Sequence, residues 1–171
     1  MAISSIRALV VDDFEPFRRF VASVLQELPT VQMICEASDG LEAVQKAEEL
    51  QPDFIVLDIG LPKLNGLEAA RQIRQLSPNS KILFLSQESS ADVVQEALGL
   101  GAFAYVVKSD AGSELLTSVN AVLRGEKFVS GRFAGRDSAA TSDAPGRESL
   151  RRNNAARSFG NIHFKLSRAR G

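Results

Sequence analysis

Between residues 7 and 124 the sequence alternates five short apolar runs with five amphipathic helical patterns. Most of the runs are continuously apolar, as strands covered by helices on both faces should be. Such alternation predicts right-handed βαβ crossovers and a parallel sheet. Capping residues precede three of the helical patterns: Asp39, Asn65, and Ser89 or Ser90. We therefore expect an α/β fold of five βα units, with strands over residues 7–11, 31–37, 54–58, 81–85 and 104–107 and the last helix over 113–124.

Four of the predicted strands end in residues that can carry chemistry. The runs VVDD, IVLD, LFLS and YVVK place Asp12, Asp13, Asp58, Ser86 and Lys108 at these ends. The carboxyl ends of parallel strands meet at one edge of an open sheet, and that edge is where ligands bind. Three carboxylates, a hydroxyl and an ammonium at one edge predict a magnesium-assisted phosphoryl-acceptor site.

The carboxylates have separate expected roles. Mg²⁺ prefers oxygen ligands, commonly one or two carboxylates with waters and phosphate oxygens, and adjacent Asp12 and Asp13 with Asp58 on a neighbouring strand supply them. An Asp pair after a strand is, by itself, more often a helix cap. Asp58 is the candidate nucleophile, because a carboxylate can attack phosphorus to form an acyl phosphate; taken singly, it would be a turn residue before the loop. Gly60 in that loop could offer its backbone carbonyl to the metal.

Ser86 and Lys108 gain a role only as members of this set. An isolated lysine at a strand end usually extends its ammonium to solvent, and an isolated serine there is usually a turn residue. Phosphoryl transfer depends mostly on positioning and charge neutralisation. We therefore expect Lys108 and Ser86 to contact the oxygens of the transferred group.

Four sequence segments together resemble the receiver domain of two-component response regulators, over roughly residues 5–127. They are VVDDFEPFR, PDFIVLDIGLPKLNGLEAAR, ILFLSQE and GAFAYVVKSDAGSELL. The resemblance implies a flavodoxin-like (βα)5 domain whose five parallel strands have the order 2-1-3-4-5. It also implies a signalling protein that is not an enzyme beyond its own Mg-dependent self-phosphorylation and self-dephosphorylation. Because the sequence has no basic start followed by a long apolar region and no apolar run long enough to span a membrane, we expect a cytoplasmic protein.

The resemblance further assigns roles to individual residues and partners. It implies that Asp58 is phosphorylated by a sensor histidine kinase or a phosphotransfer protein, and that Tyr105 is the switch aromatic. Phosphorylation would draw Ser86 inward and let Tyr105 turn in, changing the face made of the fourth helix, fifth strand and fifth helix. Gly60 and Glu88, each two residues beyond a site residue, would tune dephosphorylation. A second copy of the chain, in a phosphorylation-driven homodimer, is a further candidate partner.

The composition changes near residue 128. Residues 1–130 carry 11 Lys and Arg against 18 Asp and Glu, whereas residues 131–171 carry nine against three. The second region is rich in Gly, Ser, Ala and Arg and lacks sustained apolar periodicity. We therefore divide the chain into a receiver domain, 1–127, and a basic, low-complexity tail, 128–171, that is expected to be disordered.

The function after phosphorylation has competing interpretations. GLEAARQIR and GEKFVSGRF are similar to the subgroup of receivers that precede a LuxR-type helix-turn-helix domain, but no pair of amphipathic helices follows the fifth helix, so we expect no such effector domain here.

The leading hypothesis is a receiver that signals by protein contact, with no membrane partner. The alternative is a DNA-binding transcriptional regulator that has lost its effector domain or uses the basic tail. A haloacid-dehalogenase-like hydrolase is set aside, because Gly60 occupies the position of its acid/base aspartate. The basic residues of the tail are Arg132, Arg136, Arg147, Arg151, Arg152, Arg157, Lys165, Arg168 and Arg170.

Overall fold

The computed structural model describes residues 4–133, which form alternating strands and helices around one parallel sheet. A single 3-10 turn, Lys108–Asp110, joins the fifth strand to the fifth helix. The elements in chain order are β1 (Ile6–Val11), α1 (Glu15–Gln26), β2 (Val31–Ala37), α2 (Gly40–Leu50), β3 (Phe54–Leu57), α3 (Gly66–Leu76), β4 (Lys81–Ser86), α4 (Ala91–Gly99), β5 (Ala104–Val107), α5 (Ala111–Leu123) and β6 (Phe128–Val129).

The strand order is β2-β1-β3-β4-β5-β6, and all pairings are parallel. This confirms the predicted α/β fold and the order of its first five strands. The central strands are buried on both faces, which is why their sequences are continuously apolar. One buried cluster includes Ala43, Ile73 and Val94 from α2, α3 and α4, and a second includes Val21 and Leu115 from α1 and α5.

The predicted capping residues begin three of the helices. The side chain of Asp39 accepts a hydrogen bond from the amide of the third residue of α2, and Asn65 does the same at α3 and Ser90 at α4. These bonds satisfy amides that have no partner inside the helix. α2 and α4 start within a few residues of the preceding strand, whereas a longer loop, residues 58–65, separates β3 from α3. These loops form the carboxyl edge of the sheet.

The sixth strand was not predicted. The composition predicts that the tail begins at residue 128, whereas Phe128–Val129 pair in parallel with β5. The amide of Phe128 donates to the carbonyl of Phe103 (3.0 Å), and that of Ser130 donates to the carbonyl of Tyr105 (2.9 Å). A strand of two residues has no detectable sequence periodicity, so its pairing depends on the edge that β5 presents.

The rest of the expected tail, residues 134–171, lies outside the described residues, together with the disorder predicted for it and all of its basic residues except Arg132. Across residues 4–133, the helices are all too short or too polar to cross a membrane.

Candidate functional site

The ends of β1 and β3 hold three carboxylates close together. Asp12 and Asp13 follow β1 and Asp58 follows β3, and one carboxylate oxygen from each lies within 4.8 Å of the others. The amide of Asp58 donates to the carbonyl of Val11 (3.0 Å), which extends the pairing of β1 and β3 up to the site. Asp12 and Asp58 are buried, at 3% and 1% exposure, whereas Asp13 is partly exposed. Solvent therefore reaches the cluster on the side of Asp13.

Lys108, immediately after β5, extends into this cluster. Its ammonium forms salt bridges with Asp12 and with Oδ2 of Asp58, the latter at 3.2 Å, and its side chain is completely buried. Burial lowers the pKa of Lys108 from its ordinary value, and the charges of Asp12 and Asp13 act in the opposite direction. The two salt bridges favour the charged form, so the lysine acts as a fixed positive charge between the carboxylates.

Phe17 and Arg18 contact the site from α1, and sequence analysis missed both roles. The ammonium of Lys108 lies 4.6 Å from the ring centroid of Phe17, in cation–π geometry. Arg18 donates from Nη1 to the backbone carbonyl of Asp12 (2.8 Å) and from Nε to Glu36 (2.7 Å). The sequence feature that could have indicated these roles was their position one helical turn after the Asp pair. Phe17 also belongs to the buried cluster that α1 and α5 share, so its apolar character alone does not indicate a role at the site.

The donor set fits a divalent cation. Three carboxylates meet at an edge where two of the three aspartates are buried, and the ammonium of Lys108 bridges Asp12 and Asp58. Buried charges need a counter-charge or a metal. Hard oxygen donors with one solvent-accessible side match the preference of Mg²⁺ for a few carboxylates with retained waters. Asp12, Asp13 and Asp58 are the residues that would hold it.

Ser86 and Tyr105 lie side by side on the next two strands. Ser86 ends β4, is buried at 1% exposure, and accepts a hydrogen bond from the amide of Glu88 at 3.1 Å. Tyr105 on β5 is fully buried, and its hydroxyl donates to the backbone carbonyl of Glu88 at 2.6 Å. Burial raises the pKa of the Tyr105 hydroxyl, with contact from Ser86 acting in the opposite direction. The hydroxyl therefore acts as a hydrogen-bond donor. Tyr105 is turned inward in this structure, the orientation that the resemblance associates with phosphorylation.

The loop after Asp58 forms the rim of the site. Gly60 lies in it and is exposed, as is Glu88 after β4. The amide of Gly66 donates to the carbonyl of Ile59 (2.7 Å), and a Cβ at Gly66 would lie 2.0 Å from the backbone oxygen of Asp58. Only glycine allows this approach, so the start of α3 packs directly on the backbone that carries the candidate nucleophile.

Comparison with known proteins identifies relatives of this chain. The family model described as the response regulator receiver domain matches residues 8–120. The transcriptional regulatory protein LiaR of Bacillus subtilis is 34% identical over 131 residues, which cover 77% of this chain and 62% of that protein. DegU of Brevibacillus brevis is 32% identical over 126 residues, 74% of this chain and 53% of that protein. The chain thus spans about half to three fifths of the length of these curated relatives.

Solved structures give the same match. A crystal structure of a LuxR-family two-component response regulator from Aurantimonas sp. SI85-9A1 is 32% identical, with a TM-score of 0.72, and the alignment covers 77% of this chain and 94% of that one. The signal receiver domain of the response regulator NarL from Mycobacterium tuberculosis is 27% identical, with a TM-score of 0.67, over 72% of this chain and 99% of that one. Their alignments extend over most of the described residues.

Proposed function

The chain belongs to the response regulator receiver family of two-component systems, and from this membership we propose that Asp58 accepts a phosphoryl group in a magnesium-dependent reaction. The donor would be a sensor histidine kinase or a phosphotransfer protein. As a receiver, the chain signals rather than turning over a substrate. The observation that carries the proposal is the cluster of Asp58, Lys108 and the Asp12–Asp13 pair, in which all but Asp13 are buried.

The arrangement of side chains supports a direct transfer. An oxygen of the ionised Asp58 carboxylate attacks phosphorus, the bond from phosphorus to the donor nitrogen breaks, and its electron pair leaves with the donor imidazole, which takes up a proton from solvent. No general base is needed, because the carboxylate is already ionised. Bound Mg²⁺ would neutralise charge on the phosphoryl oxygens.

The protein's own residues supply the remaining stabilisation. The ammonium of Lys108, held by Asp12 and the Phe17 ring, offers a positive charge to the incoming oxygens at no cost of reorganisation. The hydroxyl of Ser86 lies at the end of the adjacent strand and can donate to another oxygen. Hydrolysis of the acyl phosphate by water would return Asp58 to the carboxylate, with Gly60 and Glu88 at the exposed rim tuning access.

The output is proposed to be a change at the α4, β5 and α5 face. Tyr105 contacts Glu88 in the loop before α4, so a shift of Ser86 toward a phosphoryl oxygen would act on Tyr105 and on that loop together. The contacts of Tyr105 with Ser86 and with the backbone of Glu88 thereby link the site to the packing of α4.

A phosphorylation assay tests the proposal. The full chain is incubated with acetyl phosphate and Mg²⁺, and the modified peptide is located by mass spectrometry. We expect one phosphoryl group on the peptide that contains Asp58, lost in Asp58→Asn and when EDTA replaces Mg²⁺. Asp53→Asn is the matched control, because Asp53 is a half-exposed aspartate at the opposite end of β3. Labelling that persists in Asp58→Asn would contradict the assignment.

Transcriptional output is a second candidate, because LiaR and DegU are named transcriptional regulatory proteins. The chain would then need residues beyond Phe133 for DNA contact. DNA affinity measured against salt concentration, for the full chain and for one ending at Phe133, tests this. A steeper salt dependence of the full chain would support it, and identical curves would remove the basic tail as the means of contact.

A further inference from the structure

Residues 128–133, here called the C-terminal segment, lie outside the five βα units and yet contact β5, which carries Tyr105 and directly precedes Lys108. Phe128 and Val129 pair with Ala104 and Tyr105 of β5. The amide of Ser130 then donates to the carbonyl of Tyr105 (2.9 Å). The segment therefore covers the edge of β5 that would otherwise be open, on the side away from β4.

Ser130 fixes the end of β5 next to Lys108. Ser130 is completely buried, and its hydroxyl accepts a hydrogen bond from the amide of Val107 (3.0 Å) and donates to Glu114 on α5 (2.6 Å). The other oxygen of Glu114 accepts from the amide of Gly131 (3.0 Å). Val107 directly precedes Lys108, so this chain of bonds holds the backbone from which the ammonium reaches the carboxylates. A buried amide at this position would be costly without its acceptor.

Phe133 packs on the switch aromatic. It is 2% exposed, and its ring lies edge-on to that of Tyr105, with centroids 6.5 Å apart and planes at 86°. Tyr105 also contacts the ring of Phe84 at 6.1 Å. The position of Phe133 is secured by a turn in which its amide donates to Ser130 (2.8 Å) and by a salt bridge from Arg132 to Asp110 (2.8 Å). Removing Phe133 would open space beside the inward ring.

We propose that the C-terminal segment is a positioning element for the phosphoryl site: Ser130 orients the end of β5 that presents Lys108, and Phe133 holds Tyr105 inward. The proposal rests on the function proposed for Asp58. Coupling between two sites is reciprocal. If packing of the C-terminal segment favours the state that binds a phosphoryl group, binding of that group must in turn stabilise the packing of the segment against β5. The segment thereby connects the site to the part of the chain beyond residue 133.

The amino-acid composition provides a direct probe. Tyr105 is the only tyrosine and the chain has no tryptophan, so intrinsic fluorescence reports on Tyr105 alone. The full chain, Phe133→Ala and Phe133→Leu are compared by acrylamide quenching without ligand and by titration with beryllofluoride and Mg²⁺. Leu28→Ala is a control that shortens a partly buried side chain near the end of α1, at the opposite edge of the sheet. Urea midpoints identify variants with equal losses of stability.

We expect Phe133→Ala to increase quenching of Tyr105 and to weaken beryllofluoride binding by roughly two- to tenfold, the range that corresponds to an aromatic pair. Phe133→Leu should recover most of the affinity, and Leu28→Ala should match the unaltered chain. Ser130→Ala should speed hydrogen exchange of the Val107 amide and weaken binding. Ser118→Ala, which removes another completely buried hydroxyl, bonded within α5, should do neither.

Equal quenching and equal affinity in Phe133→Ala and Leu28→Ala would overturn the role of Phe133, and unchanged exchange of Val107 in Ser130→Ala would overturn that of Ser130. Failure of the unaltered chain to bind beryllofluoride with Mg²⁺ would instead contradict the proposed function. The quenching and exchange measurements need no ligand, so they would still decide whether the segment positions Tyr105 and β5.

Discussion

Replacing Lys108 with methionine should destabilise the fold strongly, and Mg²⁺ should reverse much of the loss. Methionine keeps the apolar stem, so the substitution isolates the ammonium, which is fully buried, bridges Asp12 and Asp58 and lies over the ring of Phe17. Removing one partner of a buried ion pair costs about 3–5 kcal/mol, because the other charge is left uncompensated. The lost ring contact is worth about 1 kcal/mol more.

The assay is urea unfolding followed by circular dichroism at pH 7, in EDTA and in excess Mg²⁺. In EDTA the free energy of unfolding of Lys108→Met should be lower than that of the unaltered chain by about 4–6 kcal/mol, the sum of the ion-pair and ring contributions. Mg²⁺ should narrow the difference, because a dication replaces the missing charge and binds more tightly to a more negative cluster. Beryllofluoride binding should nevertheless weaken, because the ammonium that would contact the phosphoryl group is gone.

Lys127→Met is the control for this substitution. Lys127 also lies over a phenylalanine ring, that of Phe103 at 4.7 Å, but it is exposed. Its loss should cost less than about 1 kcal/mol, with no dependence on Mg²⁺. The reasoning would be refuted if Lys108→Met unfolded in EDTA with a free energy within 1 kcal/mol (roughly one buried interaction) of the unaltered chain, or if Mg²⁺ stabilised both proteins equally.

Two further predictions concern the rim of the site and the start of α2. Glu88→Ala should change the lifetime of the phosphorylated form, measured as the rate at which Asp58 loses its label, while leaving Mg²⁺ affinity almost unaltered. An unchanged lifetime would count against a role for Glu88. Glu42→Gln should cost about 1 kcal/mol at pH 7 after discounting for partial solvent exposure, because a hydrogen bond from Lys46, with others from Ser38, lowers the pKa of Glu42 to about 2. Because the pKa of Glu42 is lower in the folded than in the unfolded chain, its carboxylate stabilises the fold above pH 4.5, and this stabilisation is lost as the pH falls toward 2. The cost of Glu42→Gln measured by urea unfolding should therefore shrink at low pH. A cost independent of pH would contradict the role of this carboxylate.

Most of the candidate site was predictable because its members are placed by topology. Asp12, Asp13, Asp58 and Lys108 each follow a strand that the sequence marks as buried on both faces. Once such strands are parallel, their carboxyl ends must share an edge, and the distances between the side chains follow within a few ångströms. No detail of side-chain packing was needed for that inference.

The contacts that orient these groups could not be predicted in the same way. Phe17 satisfies the apolar pattern of α1 whether or not its ring meets the ammonium of Lys108. The inward position of Tyr105 depends on packing against the ring of Phe84 and on the carbonyl of Glu88, which β4 and the loop after it bring near. A residue's periodicity indicates which face it occupies and not which atoms it meets there.

The five βα units, their parallel sheet and the strand-end cluster follow from local sequence, because consecutive residues show both burial on two faces and the polar side chains at the strand ends. Tertiary packing accounts for β6, for the hydrogen bond from Val107 to Ser130 and for the contact of Phe133 with Tyr105. These features depend on an open strand edge created by residues about 25 positions earlier in the chain, a contact over a distance that no local pattern encodes.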